Sequence, residues 1–131
     1  MSEENVELVR RSIASANAGD WESVFRDGAP NWELDFSRAQ GLFGGVYRGE
    51  EAQRVMIDSI DDWQSVRFEP HEFIEVGEHV VVRWTAHFVG RDGIGVQARV
   101  TWAFTIRDGM IVRVRFYQHK QEALEALGLE E

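Results

Sequence analysis

Apolar positions recur at helical spacing along the first half of the chain and at alternate residues along the second. Val6, Val9, Ile13 and Ala16 follow Ser2 and three polar residues, a spacing that predicts a capped first helix of about four turns. Gly19 closes it, and Asp20 is placed to cap a short second helix carrying Trp21, Val24 and Phe25, before a break at Gly28, Ala29 and Pro30. From Asn31 to Ser37 the period becomes two, which predicts a short strand. Trp32, Leu34 and Phe36 share one of its faces, and Glu33, Asp35 and Ser37 the other. A glycine-rich stretch, Gly41 to Gly49, leads into a third helix whose apolar stripe is Ala52, Val55, Met56, Ile60 and Trp63.

From Val66 onward the alternation persists in strands of about ten residues, parted by turns at Gly77, Arg91 to Gly95 and Asp108-Gly109. Their apolar faces run Val80, Val82, Trp84, Ala86, Phe88, then Val96, Ala98, Val100, Trp102, Phe104, Ile106, then Val112, Val114, Phe116. A last short helix, Gln121 to Leu127, stops at Gly128. This order of elements calls for an α+β fold. Its sheet is a curved, cone-shaped, mixed and mostly antiparallel one, with three helices of the N-terminal half on the concave face and a short C-terminal helix. With so many rings under only three helices, a cavity is expected at one end of the cone, its mouth near the first strand and the Gly41 to Gly49 loop.

Composition narrows the function. The 131 residues fit one domain over 1–131, and 44% hydrophobic with 28% charged residues is the balance of a folding chain. The absence of cysteine excludes a disulfide framework and a thiol nucleophile and is compatible with the reducing cytoplasm, the expected location. The start MSEENVELVRR has neither the basic nor the apolar region of a secretory signal, and no apolar run approaches a membrane span. A net charge of −9 disfavours phosphate backbones and anionic membranes, so neither nucleic acid nor membrane is an expected partner.

Five segments in order carry a resemblance: Ala18-Gly19-Asp20-Trp21, Trp32 to Phe36, Tyr47-Arg48-Gly49-Glu50-Glu51, Asp108-Gly109-Met110-Ile111, and the run from Glu122 to Leu129. Together they resemble the SnoaL-like branch of the nuclear transport factor 2-like superfamily, across nearly the whole chain. The resemblance implies a cone-shaped, usually dimeric fold that hosts polyketide cyclases, steroid isomerases, epoxide hydrolases, dehydratases and non-catalytic binders. Such a fold does not choose among these activities.

Candidate chemistry centres on Asp35, which resembles in position the catalytic base of the steroid-isomerase-like members. A carboxylate held against an aromatic cavity loses hydration and becomes a better proton acceptor near neutral pH. Glu33, two residues away, would share its face and offer a second carboxylate. If Trp32, Leu34 and Phe36 point into the core, both acids face away, and a bulge in the strand would decide. Tyr47 is a candidate donor to a substrate carbonyl, or it packs its loop. His119 follows the last strand, where relatives place an acid; it is a candidate acid or base, or an outer-face residue beside Tyr117 and Arg115, with Gln118 then pointing inward.

The expected lining is Trp32, Glu33, Trp84, Phe88, Trp102, Phe104, Phe116 and Gln118. Ser12 and Trp102 stand where the steroid isomerases carry a Tyr and a protonated Asp, and Arg83 is followed by Trp84 and Thr85 instead of an epoxide hydrolase's acids, which disfavours both activities. His71, His79 and His87 have no ligand spacing, so no metal and no cofactor is expected. Arg83, Arg99, Arg113 and Arg115 fall with Thr85, Thr101 and Tyr117 on a polar sheet face, a solvent or homodimer surface. Three functions stand open. One is a cofactor-independent cyclase, isomerase or dehydratase moving protons on a small hydrophobic substrate, with Asp35 as base and Tyr47 or Gln118 as donors. The others are a non-catalytic binder of a small apolar ligand and a dimeric adaptor.

Overall fold

In a computed structural model that describes residues 2–37 and 44–128, four helices flank a six-stranded sheet. Helix α1 spans Ser2–Asn17 and α2 Trp21–Arg26, and between them the Asp20 carboxylate accepts the Ser23 backbone N–H at 3.2 Å to cap α2. Then follow β1 (Gly28–Asp35), β2 (Val46–Arg48), α3 (Gly49–Asp61), β3 (Ser65–Val76), β4 (His79–Val89), β5 (Gly95–Arg107), β6 (Met110–Tyr117) and α4 (Lys120–Ala126). The sheet runs β2-β1-β6-β5-β4-β3, antiparallel throughout except where β1 lies parallel to β6. The fold is therefore α+β with a mixed, mostly antiparallel sheet. Gly41 and its neighbours in the glycine-rich stretch up to residue 43 lie outside the described residues, as does Leu129.

Local chemistry explains where the elements depart from the pattern. β1 begins at Gly28, where a break was expected, because the Asp27 carbonyl accepts the Ile111 N–H at 2.9 Å and ties this segment to β6. Helix α3 ends at Asp61, which leaves Trp63 just beyond the helix. Between β5 and β6, Asp108 (φ 52°) and Gly109 (φ 75°) both take positive φ, as a tight type I′ hairpin turn demands.

Helices α1 and α3 press Leu8, Val9, Ile13, Ala52 and Met56 onto the inner sheet face, where Leu34, Val80, Val82, Trp84 and Phe104 are buried. α1 lies over β3 and β4, and α3 over β1 and β2. Two bulges set which side chains reach this core. In β6 the register slips between Arg113 and Ile111, so Ile111, not Val112, is buried opposite Ile106. In β3 the slip falls between Pro70 and Glu72, and the inward positions change from Val66 and Phe68 to Phe73. Val96, expected on the core face, is 48% exposed.

The outer face has its own small core: α4 sets Ala123 against Val81, Ala103 and Tyr117. Tyr117, expected on the polar face, is thus only 4% exposed. Trp84 is the hub of the inner face, stacked on Phe68 at 4.9 Å and edge-on to Trp102 at 4.1 Å. Urea unfolding of Trp84→Ala is expected to show a loss of about 3–5 kcal/mol, as for other buried aromatic deletions, and Val96→Ala a loss below about 0.5 kcal/mol.

Candidate functional site

Two spaces with a shared wall adjoin the inner face of the sheet. An inner cavity of about 50 Å³ sits between α1, α2 and the sheet, walled by Phe25, Trp32, Trp84, Trp102 and Phe104, with Ser12 as a polar member of the wall. A wider chamber of about 780 Å³ lies against Phe36, Trp63, Phe88, Trp102 and Phe116 and is rimmed by Asp62, Arg91 and Asp92. Met56, Phe68 and Trp102 border both spaces. The rings hold one another: Trp102 stacks on Phe116 at 4.0 Å, Phe116 meets Phe36 edge-on at 4.1 Å, and Trp63 lies 4.9 Å from Phe88. Among the described residues, the indole nitrogens of Trp32 and Trp84 are buried with no hydrogen-bond partner.

The acids of β1 do not face this interior. Trp32, Leu34 and Phe36 are 5%, 0% and 8% exposed, so alternation turns Glu33 and Asp35 to the outer face. A bulge does interrupt β1, but it lies between Gly28 and Glu33, and beyond it the register is regular, with Leu34 opposite Val114 and Asp35 opposite Arg115. The Asp35 carboxylate accepts the Ser37 backbone N–H at 2.8 Å and also the Ser37 hydroxyl, closing a turn. Glu33 does not line a cavity either; it bridges Arg48 at 2.9 Å and Arg113 at 3.3 Å. With two arginines between its neighbours, it forms an ion cluster and not a proton-sharing pair with Asp35.

Tyr47 lies opposite Leu34 on β2, and its hydroxyl donates to the Gly44 carbonyl at 2.7 Å, so its donor is spent on its own loop. His119 is exposed at the start of α4. Gln118, expected to point inward, borders a groove of about 650 Å³ on the outer face with His119, Arg83 and Arg99. Strand pairing ends at Tyr117 and the chain turns into α4, where the Gln118 N–H donates to Glu122 at 3.3 Å, so alternation no longer governs its direction. The expected aromatic residues are placed around the interior: Trp32, Trp84 and Phe104 at the inner cavity, Phe88 and Phe116 at the chamber, Trp102 at both.

Sequence reasoning passed over Phe36, Trp63 and Phe68 as wall residues, although the first two ended the strand and helix stripes. It had no signal for Arg91 and Asp92, which sit in a turn without periodicity. The histidines engage separate partners, His71 with Thr85 at 2.7 Å, His79 with Thr105 at 3.0 Å and His87 with Glu69 at 2.7 Å. Among the described residues, no three His, Asp or Glu side chains gather as a metal-binding group, and no helix is long and apolar enough to cross a membrane.

Electrostatic perturbation is likewise concentrated on the outer face. Burial pushes His79 below its ordinary value of 6.5, and the Glu78 carboxylate opposes that shift. Hydrogen bonds hold three carboxyls below the usual glutamate range: His87 acts on Glu69, Arg83 on Glu72 and Arg107 on Glu78.

The SnoaL-like domain family matches residues 9–114, most of the chain. The chain belongs to that family. Among curated proteins, none matches the sequence. Solved structures share the fold of this SnoaL-like domain. An NTF2-like protein of unknown function from Burkholderia pseudomallei is 25% identical with a TM-score of 0.77, over 95% of this chain and 97% of its own. TerC, co-crystallised with polyporic acid, is 24% identical with a TM-score of 0.76, over 95% and 98%. SalBIII, an epoxide hydrolase/cyclase-like enzyme with a role in pyran ring formation in salinomycin, is 20% identical with a TM-score of 0.74, over 91% and 93%.

The placement of the two β1 acids separates them by experiment. Glu33→Gln is expected to cost about 1 kcal/mol in urea unfolding, a value kept low by the exposure of both arginines. Asp35→Asn should stay within about 0.5 kcal/mol, since its amide oxygen still accepts the Ser37 N–H. The unfolded state binds a proton at His79 more readily than the folded state does, so stability should fall as pH drops from 6.5 through the lower folded value. His79→Gln should remove that portion of the decline. It should leave the further loss below pH 4.5, where Glu69, Glu72 and Glu78 become protonated.

Proposed function

We propose that this SnoaL-like domain holds a small apolar, ring-bearing molecule in its aromatic chamber and acts as a binder. The observation that carries this reading is the composition of the wall: Phe36, Trp63, Phe88, Trp102 and Phe116 meet there, with charge confined to the rim. A volume of about 780 Å³ is in the range of small-molecule sites, roughly 300–1,000 Å³. The presence of polyporic acid in crystals of TerC, a relative in fold, supports an organic ligand of this kind. Asp35, Tyr47 and His119 are absent from the walls of both inner spaces, which weighs against a catalyst built on them.

A proton-transferring cyclase, isomerase or dehydratase is the second reading, favoured by Asp62 on the chamber rim. A homodimer through the outer sheet face belongs to the same proposal. The part of that face left clear of α4 carries Glu69 and Glu72 together with Arg83 and Arg99, charges suited to pairing across a two-fold axis. Sedimentation at about 50 μM showing a single monomer would remove it.

Titration with the neutral fluorescent dye N-phenyl-1-naphthylamine tests the binder. One dye should bind per chain with a dissociation constant in the micromolar range, and Trp63→Ala should weaken it about 5–10-fold by removing a stacking face. Absence of binding, or equal binding by Trp63→Ala, would refute the chamber as the site. Asp62→Asn should leave dye binding intact; loss of turnover in that variant on a substrate found by screening would favour the enzyme reading.

A further inference from the structure

We infer that the ligand of the chamber is elongated, a ring carrying an aliphatic tail, with the tail lying over Ile94 and Val96 at the β4–β5 hairpin. This rests on the reading of the chamber as an apolar-ligand site and adds the length and chemical class that such a ligand must have.

Val96 and Trp102 both line the chamber and lie six residues apart on β5, which at about 3.4 Å per residue sets them roughly 20 Å apart along the strand. A single ring stacked at Trp102 therefore leaves the hairpin end of the chamber uncovered. The wall also changes in kind along that length. Its inner end is built of rings, Phe36, Trp102 and Phe116, whereas its outer end offers the branched aliphatic side chains of Ile94 and Val96, with Phe88 opposite Val96 across the strand pair. Rings attract a ring by stacking and edge contacts, while the aliphatic groups offer apolar area without a stacking face, which suits a tail. Ile94 and Val96 are 64% and 48% exposed, two of the four large apolar side chains left exposed among the described residues, and their area is what a tail removes from water. Charged groups of the same turn are engaged within the protein: an Arg91 Nη donates to the Asp61 carbonyl at 2.6 Å, and the Asp92 carboxylate accepts the Ile94 N–H at 3.0 Å. With the Gly90 N–H donating to the Ile94 carbonyl at 2.9 Å, these bonds fix the turn, so the aliphatic surface is held in place before a ligand arrives.

The test compares 4-ethylphenol with 4-octylphenol, one ring with a short and a long tail, by displacement of N-phenyl-1-naphthylamine from the intact protein. The octyl compound should bind about 30–100-fold more tightly, roughly twofold for each of its six added methylenes. Ile94→Ser and Val96→Ser should each weaken 4-octylphenol about 3–5-fold and leave 4-ethylphenol within about 1.5-fold. Both side chains are exposed, so neither substitution is expected to disturb the fold. A second measurement needs no variant: in ¹³C-methyl-labelled protein, the Ile94 and Val96 methyl signals should move with 4-octylphenol and not with 4-ethylphenol. A tail gain that survives both substitutions, with unmoved methyl signals, would overturn the elongated ligand while leaving the chamber as a ring site. Methyl signals that shift with protein concentration and not with ligand would also overturn it, placing a second copy over the hairpin. If the dye and both phenols fail to bind, the chamber reading itself falls, and the tail with it.

Discussion

Five aromatic rings form a continuous row across the inner face of the sheet, and the interior depends on their contacts. Phe68 on β3 stacks with Trp84 on β4, Trp84 meets Trp102 on β5, Trp102 stacks on Phe116 of β6, and Phe116 meets Phe36 just past β1. The successive centroids are 4.9, 4.1, 4.0 and 4.1 Å apart, within the range where edge-on and stacked rings attract. Phe68 and Trp102 border both spaces, so the same contacts that stabilise the sheet divide the interior into an inner cavity and an open chamber.

Charge has been kept to the other side of the same strands. Glu33 joins Arg48 and Arg113 across three strands, Glu72 joins Arg83 and Lys120, and Glu78 joins Arg107. These pairs lie near water, where each is individually weak, and together they engage 5 of the 14 lysines and arginines of a chain with a net charge of −9. Helix α4 then covers the apolar part of this face over Val81, Ala103 and Tyr117. Ion pairing and ring packing are thus separated by the alternation of single strands, with Leu34 inward and Glu33 and Asp35 outward within three residues.

That alternation is also why the fold was legible. Trp32, Leu34 and Phe36, or Val80, Val82, Trp84 and Ala86, leave one face to be buried, and a slip of a single residue would expose them all. Legibility ended where both neighbours were apolar. Ile111 and Val112 read equally well as core, and only the bulge in β6 selects Ile111. Tyr117 looked polar by position and became buried because α4 folds back over it. The candidate site was legible in its rings but not in its acids: the position of Asp35 along the chain suggested chemistry, whereas its parity in the strand had already turned it outward. The charged rim at Asp62, Arg91 and Asp92 depends on how a helix end and a hairpin turn meet, which no periodicity encodes.

Packing alone does not explain why Trp stands at positions 32 and 84. Phenylalanine fills much of the same apolar volume without a polar atom, whereas each indole buries an N–H whose missing partner costs about 1–3 kcal/mol. The Phe68 backbone N–H and carbonyl, by contrast, are both bonded by the Asn17 side chain, at 2.8 and 2.9 Å. Among the described residues, the two indole nitrogens share this unpartnered burial with one side-chain atom each of Glu75 and Arg115, a departure from local pairing that stability does not reward.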